Sequence, residues 1–316
     1  MGVSYKISIP GVHIGHATDT KVRSGATVCL FDQPAIAAVH IMGAAPGTRE
    51  TELLDPEYTV DHVDALVLSG GSAFGLDAAS GVQAWLREQG RGVPLEPVRI
   101  PIAPCAILFD MRNGGDKDWG RYPPYRELGY SACLSANTDP QLGAIGAAFG
   151  AQTATTRGGF GMASAELESG GCVLACAAVN AAGSPMVGDS HHFWAAPFEE
   201  QNEFGGRGYP HPWPTDARVA RTKSGQRVAG ANTTLGIVIT DINLTAAQAK
   251  RIAISAHDGF SRALYPVHTP ADGDLIFVAS TKKIDISDEH RLDLGVLAGN
   301  AMARAIARGV YEAESG

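Results

Sequence analysis

The sequence predicts a fold of the α+β class, in which helices cover sheets of mostly antiparallel strands. Three segments carry this prediction. Residues 63–89 run from a buried strand through a glycine-rich turn into a helix, residues 162–180 form two strands around a turn, and residues 292–310 form an alanine-rich amphipathic helix. The chain has 316 residues, enough for a large core in one domain or two, and its 45% hydrophobic and 18% charged residues indicate a globular protein.

Charge and composition argue against several classes of partner. The net charge of −8 disfavours non-specific binding to nucleic acid and to an anionic membrane surface. No apolar run reaches the length of a transmembrane helix, and the first residues, MGVSYK, lack the apolar core of a secretory signal. The five cysteines are scattered and odd in number, which fits reduced thiols. We therefore expect a cytoplasmic protein that binds neither nucleic acid nor membrane.

The first half of the chain contains strands, a helix and loops. Residues 25–31 and 36–42 have strand composition and predict a hairpin or meander. The helix at 76–89 ends at two glycines, and residues 100–110 form another apolar segment before a loop. Residues 142–161 are rich in Gly, Ala and Thr, which predicts either close backbone approaches or the wall of a pocket.

The second half contains a long irregular segment and then alternating strands and helices. Residues 184–227 are rich in Pro, Gly, His and aromatic residues, which predicts a long loop that is mobile or tied to a partner. Residues 233–240 are a β-branched strand, residues 245–262 a helix and residues 274–280 the last strand.

The junction between Asn232 and Thr233 is the central candidate site. A small, flexible run, VAGAN, meets the strand TTLGIVIT at this point. A Thr233 hydroxyl that attacks the preceding carbonyl would exchange the amide for an ester and release a new N-terminal threonine. Its α-amine, with a reference pKa of about 7.7–8.0, can then serve as general base. The alternative is an ordinary Asn–Thr turn before a strand.

Polar residues elsewhere offer support for such a site. Asp272 and Asp274 stand one residue apart at a strand entry, where alternation aims both side chains to one face. They can order the Thr233 amine and hydroxyl or hold an incoming amine; the alternative is a turn with solvated acids. Asn180 ends an apolar strand, so its amide can donate to a developing oxyanion, or it can be a cap.

Other chemistries are less well supported. The histidines in the 184–227 loop lack ligand spacing with a Cys or an acid, so we expect no metal and no cofactor. His257 and His268 are interpreted as structural hydrogen-bonding groups rather than bases. No Gly-x-Ser-x-Gly elbow is present. A phosphate at the glycine-rich turn, residues 69–75, is a further alternative that lacks the P-loop Lys-Ser/Thr ending.

Taken together, these segments resemble the L-aminopeptidase/D-esterase family, peptidase family S58, which includes β-aminopeptidases and nylon-oligomer hydrolases. The matching segments run in order over nearly the whole chain: GAAPGTRET (43–51), LSGGSAFGLD (68–77), RGGFG (157–161), VNA (179–181), NTT (232–234), HDG (257–259), HT (268–269) and DGD (272–274). The Asn-Thr junction is most similar to the nylon-oligomer hydrolases.

The resemblance implies an αββα sandwich of the self-processing N-terminal-nucleophile type, with residues 1–316 in one domain. It implies a nick into residues 1–232, the α subunit, and residues 233–316, the β subunit. It also implies a homotetramer that hydrolyses N-terminal or other simple amide bonds in small peptide or amide substrates. The roles that it implies are Thr233 as nucleophile, Asn180 as oxyanion donor, and Asp272 and Asp274 as polar support. Arg157, Ser72 and Phe74 are expected to line the substrate pocket.

The chain also departs from the family pattern. The family usually has a lysine where Arg157 stands, and the sequence does not place a substitute for it. It usually has an asparagine and more glycine at residues 143–151, and a shorter, less aromatic segment at 184–227. The alternative function is therefore an unprocessed or inactive family member that acts as a small-molecule-binding or assembly protein.

Overall fold

Two layers of helices enclose a folded sheet in the computed structural model of the protein, which describes residues 3–223 and 232–315. The strands are β1 Val12–Asp19, β2 Ser24–Ile41, β3 Thr48–Arg49, β4 His62–Ser69, β5 Val93–Leu95, β6 Val98–Ile100, β7 Cys105–Ile107, β8 Phe160–Glu166, β9 Cys172–Val179, β10 Thr234–Ile242 and β11 Leu275–Ile284. The α-helices are α1 Ala78–Glu88, α2 Tyr125–Leu134, α3 Ala246–Ala256, α4 Asp258–Ala263 and α5 Arg291–Ser315.

Nine of these strands share one hydrogen-bonded network, while β5 and β6 form a separate hairpin. The order is β3-β7-β4-β2-β11-β10-β9-β8, and β1 pairs with β2 beside this path. Neighbours are antiparallel except for the pairs β4–β7 and β10–β11, which are parallel. The prediction of mostly antiparallel strands is therefore confirmed.

Strand β2 carries the network from one half of the sheet to the other. Its first part pairs with β1 and β4, and its last six residues pair with β11. Its register with β4 shifts between Leu30 and Ala35, and Pro34 lies exposed at that irregularity. The predicted hairpin at residues 25–42 is therefore wrong, because the Asp-Gln-Pro sequence marks a bulge in a continuous strand and not a reversal of the chain.

Three apolar clusters define the layers. In β2, Val28 faces a cluster shared with α1 and α2, whereas the adjacent Cys29 faces a central cluster shared with β8–β11. The outward-facing residues of β9, such as Val173 and Ala175, join a third cluster with α3, α4 and α5. The two halves of the sheet thus pack face to face, and a layer of helices covers each outer face. This confirms the αββα sandwich.

Most predicted elements exist, and their ends differ for local reasons. The predicted helix at 245–262 is two helices that meet at His257. Helix α2 was not predicted, since Gly129 interrupts a short and weakly patterned segment. In the Gly-, Ala- and Thr-rich segment the expected close approach occurs: a Cβ at Gly161 would lie 2.1 Å from the Ala305 carbonyl oxygen of α5.

The irregular segment 184–223 is tied to the protein's own closing helix. Its Phe193 and Phe204 are buried in the cluster that contains α5. Glu203 forms ion pairs with Arg304 and, at 3.7 Å, with Arg308, both on α5. The part of the predicted loop at residues 224–227 lies outside the described residues, as does the run at residues 228–231 before the junction.

Two features bear on the environment of the protein. All five cysteines lie in the described part of the chain, and each is buried with a free thiol, as predicted. Among the helices that the structure describes, none combines the length and the apolar character needed to cross a bilayer.

Candidate active site

Thr233 sits at the start of β10 in a backbone conformation that its side chain disfavours. Its φ is +112°, outside the regions allowed for a β-branched residue. Where a turn needs a residue in the left-handed region, asparagine tolerates it and threonine does not, so an ordinary Asn–Thr turn does not account for a positive φ at Thr233. Both residues are 2% exposed, so the junction is buried as well as strained.

Backbone donors hold both atoms that would react at this junction. The Gly273 N–H donates to Thr233 Oγ1 at 2.9 Å, and the Phe109 N–H donates to the Asn232 carbonyl oxygen at 3.3 Å. Gly273 has to be glycine here, since a Cβ would lie 2.6 Å from the Ala45 carbonyl oxygen and 2.8 Å from Thr233 Oγ1. The Asn232 carbonyl is thus held by a residue that follows β7, and the Thr233 hydroxyl by a residue that precedes β11.

The two predicted carboxylates lie at the entry to β11, buried and fully engaged. Asp274 accepts from the Thr234 N–H at 2.7 Å through one oxygen and lies 2.8 Å from His268 Nδ1 through the other. Asp272 accepts from the N–H groups of Ala182 and Thr269, at 3.2 and 2.9 Å, and from the Thr269 hydroxyl. Their exposures are 1% and 0%, so the interpretation as solvated acids is wrong.

Burial determines the pKa of Asp272, whose carboxyl group interacts with that of Asp274. Desolvation, and then the charge of Asp274, raise the pKa of Asp272. The two carboxyl groups therefore interact strongly, and a cation placed near them is stabilised.

Two histidines lie behind the carboxylates, hydrogen-bonded as predicted. His257 Nε2 lies 3.1 Å from the His40 carbonyl oxygen, and the His257 and His268 rings meet edge to face with centroids 5.0 Å apart. Burial lowers the pKa of His257 to about 4. His257 is therefore neutral at pH 7 in the folded protein.

This depressed pKa predicts a loss of stability in acid. His257 is protonated below about pH 6.5 in the unfolded chain, but only below about pH 4 in the folded protein. The free energy of unfolding should fall by on the order of 1–2 kcal/mol between pH 7 and pH 5 through this group. Urea unfolding at both pH values measures it, and an unchanged pH slope in His257→Gln would show that another group is responsible.

Asn180 follows β9 and contacts Phe109, whose N–H donates to the Asn232 carbonyl oxygen. Its Nδ2 donates to the Phe109 carbonyl oxygen at 2.9 Å, and its Oδ1 accepts from the Gln152 N–H at 3.0 Å. In the continuous chain the direct donor to the Asn232 carbonyl is therefore the Phe109 N–H, and Asn180 fixes residue 109. The side chain is 2% exposed and belongs to the site that contains Thr233.

A small polar pocket opens beside Asn180, with a volume of about 20 Å³, room for roughly one water molecule. Lys223 and Asp110 line it together with Arg112. Burial raises the pKa of Asp110, whose Oδ1 accepts from the Gly71 N–H at 2.7 Å. The Gly71 N–H of the glycine-rich turn at 69–75 therefore already has an acceptor, the Asp110 carboxyl group, which opposes the phosphate-site alternative because this amide is not free to bind a phosphate.

The three expected pocket residues lie at the margins of this arrangement. The Ser72 N–H donates to the Leu108 carbonyl oxygen at 3.0 Å, next to Phe109. Phe74 is 52% exposed and meets the Trp119 ring edge to face. Arg157 is exposed and forms a β-bridge with Gln152. Their role as a substrate pocket stays a prediction.

Three groups near Thr233 and Asn180 were not predicted from the sequence: the Phe109 and Gly273 amides and the Lys223 side chain. Backbone donors leave no signature in a sequence, because any residue except proline supplies one. Lys223 stands ten residues before Thr233 within the segment predicted as a loop, where a lysine is ordinarily solvated.

The arrangement suits acyl transfer by Thr233. It provides a hydroxyl beside a carbonyl, an amide donor on that carbonyl, and a buried carboxylate on the next N–H group. Within residues 3–223 and 232–315, no group of three or more His, Cys, Asp or Glu side chains could hold a metal ion.

Comparison with known proteins identifies relatives along nearly the full chain. The model of Peptidase family S58 matches residues 7–316. An uncharacterized aminopeptidase of Mycobacterium tuberculosis is 38% identical over 326 residues, covering 97% of this chain and 93% of the relative. A 6-aminohexanoate-oligomer endohydrolase of Paenarthrobacter ureafaciens is 28% identical over 311 residues, covering 94% and 81%.

Solved structures share the fold. The L-aminopeptidase D-Ala-esterase/amidase of Ochrobactrum anthropi, described as a variant of the Ntn hydrolase fold, superposes with a TM-score of 0.71 at 18% identity, covering 99% of this chain and 88% of that one. A Burkholderia sp. beta-aminopeptidase gives a TM-score of 0.69 at 19% identity, with coverages of 98% and 88%.

Proposed function

The chain belongs to peptidase family S58 and is a hydrolase that acts on amide bonds, and we propose that it is a self-processing N-terminal-nucleophile amidohydrolase. Its nucleophile is Thr233, released by cleavage of its own Asn232–Thr233 bond into residues 1–232 and 233–316. The substrates are N-terminal or other simple amide bonds of small peptides and linear amides.

The conformation of the junction is the observation that carries this proposal. A φ of +112° at a threonine costs on the order of 1–3 kcal/mol. This dihedral angle includes the Asn232 carbonyl carbon, so the strain disappears when the bond between the two residues breaks. The contacts from Phe109 and Gly273 meanwhile keep the carbonyl and the hydroxyl in place.

Self-cleavage then proceeds as an acyl shift. Thr233 Oγ1 attacks the Asn232 carbonyl carbon, and the Phe109 N–H stabilises the oxyanion that forms. The C–N bond breaks as the nitrogen takes the hydroxyl proton, which leaves an ester at Oγ1 and a free α-amine. Water hydrolyses this ester, so Asn232 gains the carboxylate and Thr233 regains its hydroxyl.

Turnover repeats this chemistry on a substrate. The neutral α-amine takes the Thr233 hydroxyl proton as the oxygen attacks the substrate amide, and the proton passes to the leaving amine. Asn180 donates to the oxyanion of this step. Water then hydrolyses the acyl-enzyme. Asp274 accepts from the Thr234 N–H, so its charge lies close to the amine of the preceding residue.

The pH dependence of kcat/KM should show the effect of the Asp274 charge on the Thr233 amine. An ionised carboxylate stabilises the ammonium and raises the pKa of the amine, so activity rises with pH through that pKa. Replacing Asp274 with Asn should move the acidic limb of kcat/KM to lower pH by on the order of one unit. Asp272→Asn should act in the same direction by less, since Asp272 accepts from Ala182 and Thr269 instead. If both variants keep the wild-type limb, the base is another group, with His268 next to be tested.

A substrate panel tests the proposed activity. Short amides with a small amino-terminal residue, β-peptides and linear amide oligomers are offered to the purified protein, each with a free or an acetylated amino terminus. We expect hydrolysis of at least one class. A preference for free amino termini would indicate an aminopeptidase, and hydrolysis of substrates with blocked termini would indicate an endohydrolase. Fully processed protein that hydrolyses none of these amides would contradict the proposal. Sedimentation and cell fractionation test the implied homotetramer and cytoplasmic location.

A further inference from the structure

Lys223 reaches the centre of the site from the segment that precedes the junction. Its Nζ donates to both the backbone carbonyl oxygen and the side-chain Oδ1 of Asn180, each at 3.0 Å. Its backbone N–H donates to the Ala182 carbonyl oxygen at 3.3 Å, and the Ala182 N–H in turn donates to Asp272. The lysine is thus fixed by its backbone and by its side chain.

These contacts determine which way the Asn180 carboxamide faces. Its Oδ1 receives two donors, Lys223 Nζ and the Gln152 N–H, so its Nδ2 faces the Phe109 carbonyl oxygen. If the carboxamide were rotated by half a turn, its NH₂ group would face these two donors and both would lose their acceptor. An ammonium at this position therefore strongly favours one orientation.

The charge of Lys223 depends on pH near neutrality. Burial lowers its pKa to about 7, while the carboxylates of Asp272, Asp110 and Asp274 oppose this shift. Arg112 lines the same pocket and adds a second positive charge. Around neutral pH the lysine thus changes between an ammonium, which makes charge-assisted hydrogen bonds, and a neutral amine, which makes weaker ones.

We propose that Lys223 is a positioning residue for turnover, which holds the Asn180 carboxamide in the orientation that leaves Nδ2 as the donor, with one hydrogen on the Phe109 carbonyl oxygen and the other available to the oxyanion. This inference rests on the proposed function of Thr233 and Asn180. It assigns a lysine to the site from the segment before the cleavage point, whereas the position occupied by Arg157 is exposed. After cleavage Lys223 stays on the α subunit, nine residues before its new end.

Three variants test this role: Lys223→Met, Lys223→Arg and, as a control, Lys283→Met at an exposed position on β11. Mass spectrometry first scores cleavage at Asn232–Thr233, and kinetics use the processed fraction of each protein. We expect Lys223→Met to lower kcat by roughly tenfold to a hundredfold with little change in KM, as a misplaced donor does. Lys223→Arg, which keeps the cation, and Lys283→Met should retain most activity.

The pH profile separates positioning from a general loss of structure. Wild-type kcat/KM should fall again above about pH 7 as Lys223 loses its proton. This alkaline limb should be absent in Lys223→Met and moved to much higher pH in Lys223→Arg, because arginine stays charged. Processed Lys223→Met with wild-type kcat, or an alkaline limb that stays in place in both variants, overturns the role of Lys223. Wild-type protein that is not cleaved before Thr233 overturns the proposed function instead.

Discussion

Replacing Thr233 with alanine should leave the protein as one uncut chain without amidase activity. Without the hydroxyl neither the acyl shift nor the acyl-enzyme can form, so both the cleavage and the turnover are lost, by at least several orders of magnitude. The fold should survive, because the change removes one hydrogen bond, from the Gly273 N–H, worth about 1 kcal/mol. Denaturing mass analysis, amide hydrolysis and thermal unfolding of the same sample measure the three properties.

Two neighbouring variants control this experiment. Thr233→Ser keeps a hydroxyl and should still be processed. Thr234→Val removes a buried hydroxyl that has no hydrogen-bond partner among the described residues, so it should be processed and active. A Thr233→Ala protein that separates into two fragments would remove Thr233 from the proposed role.

Asn180→Ala should have the second largest effect, a loss of on the order of a hundredfold to a thousandfold in kcat with substrate binding largely kept. One oxyanion donor is lost, and losses of this size follow removal of such a donor. The variant also frees Phe109, whose carbonyl oxygen no longer has the Nδ2 donor, so self-cleavage should slow as well. Steady-state kinetics on processed protein and the time course of processing measure the two effects.

Asn180→Asp separates donation by Asn180 from its contact with Lys223. An aspartate keeps oxygen acceptors for Lys223 and Gln152 but has no N–H group to donate. It should therefore be at least as slow as the alanine variant. Turnover near the wild-type rate in Asn180→Asp would mean that Asn180 serves only as an acceptor within the structure.

The location of the candidate site was predictable where the proposed chemistry requires a particular side chain. Thr233, Asn180, Asp272 and Asp274 all stand at the start or end of a strand, and the strands were readable from their apolar runs. Sheet pairing brings these ends together: β10 lies between β9 and β11, so the residues that flank these strands meet at one edge.

The remainder depends on long-range packing. Phe109 reaches Asn232 only because β7 joins β4 in the other half of the sandwich, a pairing that no local pattern specifies. Lys223 has the same local sequence context as a solvated lysine, and its partial burial follows from the path of its segment past Asn180. The hairpin predicted in β2 was wrong for the same reason. The Asp-Gln-Pro sequence is compatible with a bulge or with a turn, and the pairing of β2 with its neighbouring strands decides between them.

The intact mass of the purified wild-type protein under denaturing conditions, followed by sequencing of its new amino terminus, tests self-cleavage before Thr233 most directly. We expect two fragments of 232 and 84 residues, the second of which begins at Thr233. An active protein that remains a single chain of 316 residues, or a second fragment that begins at another residue, would contradict it.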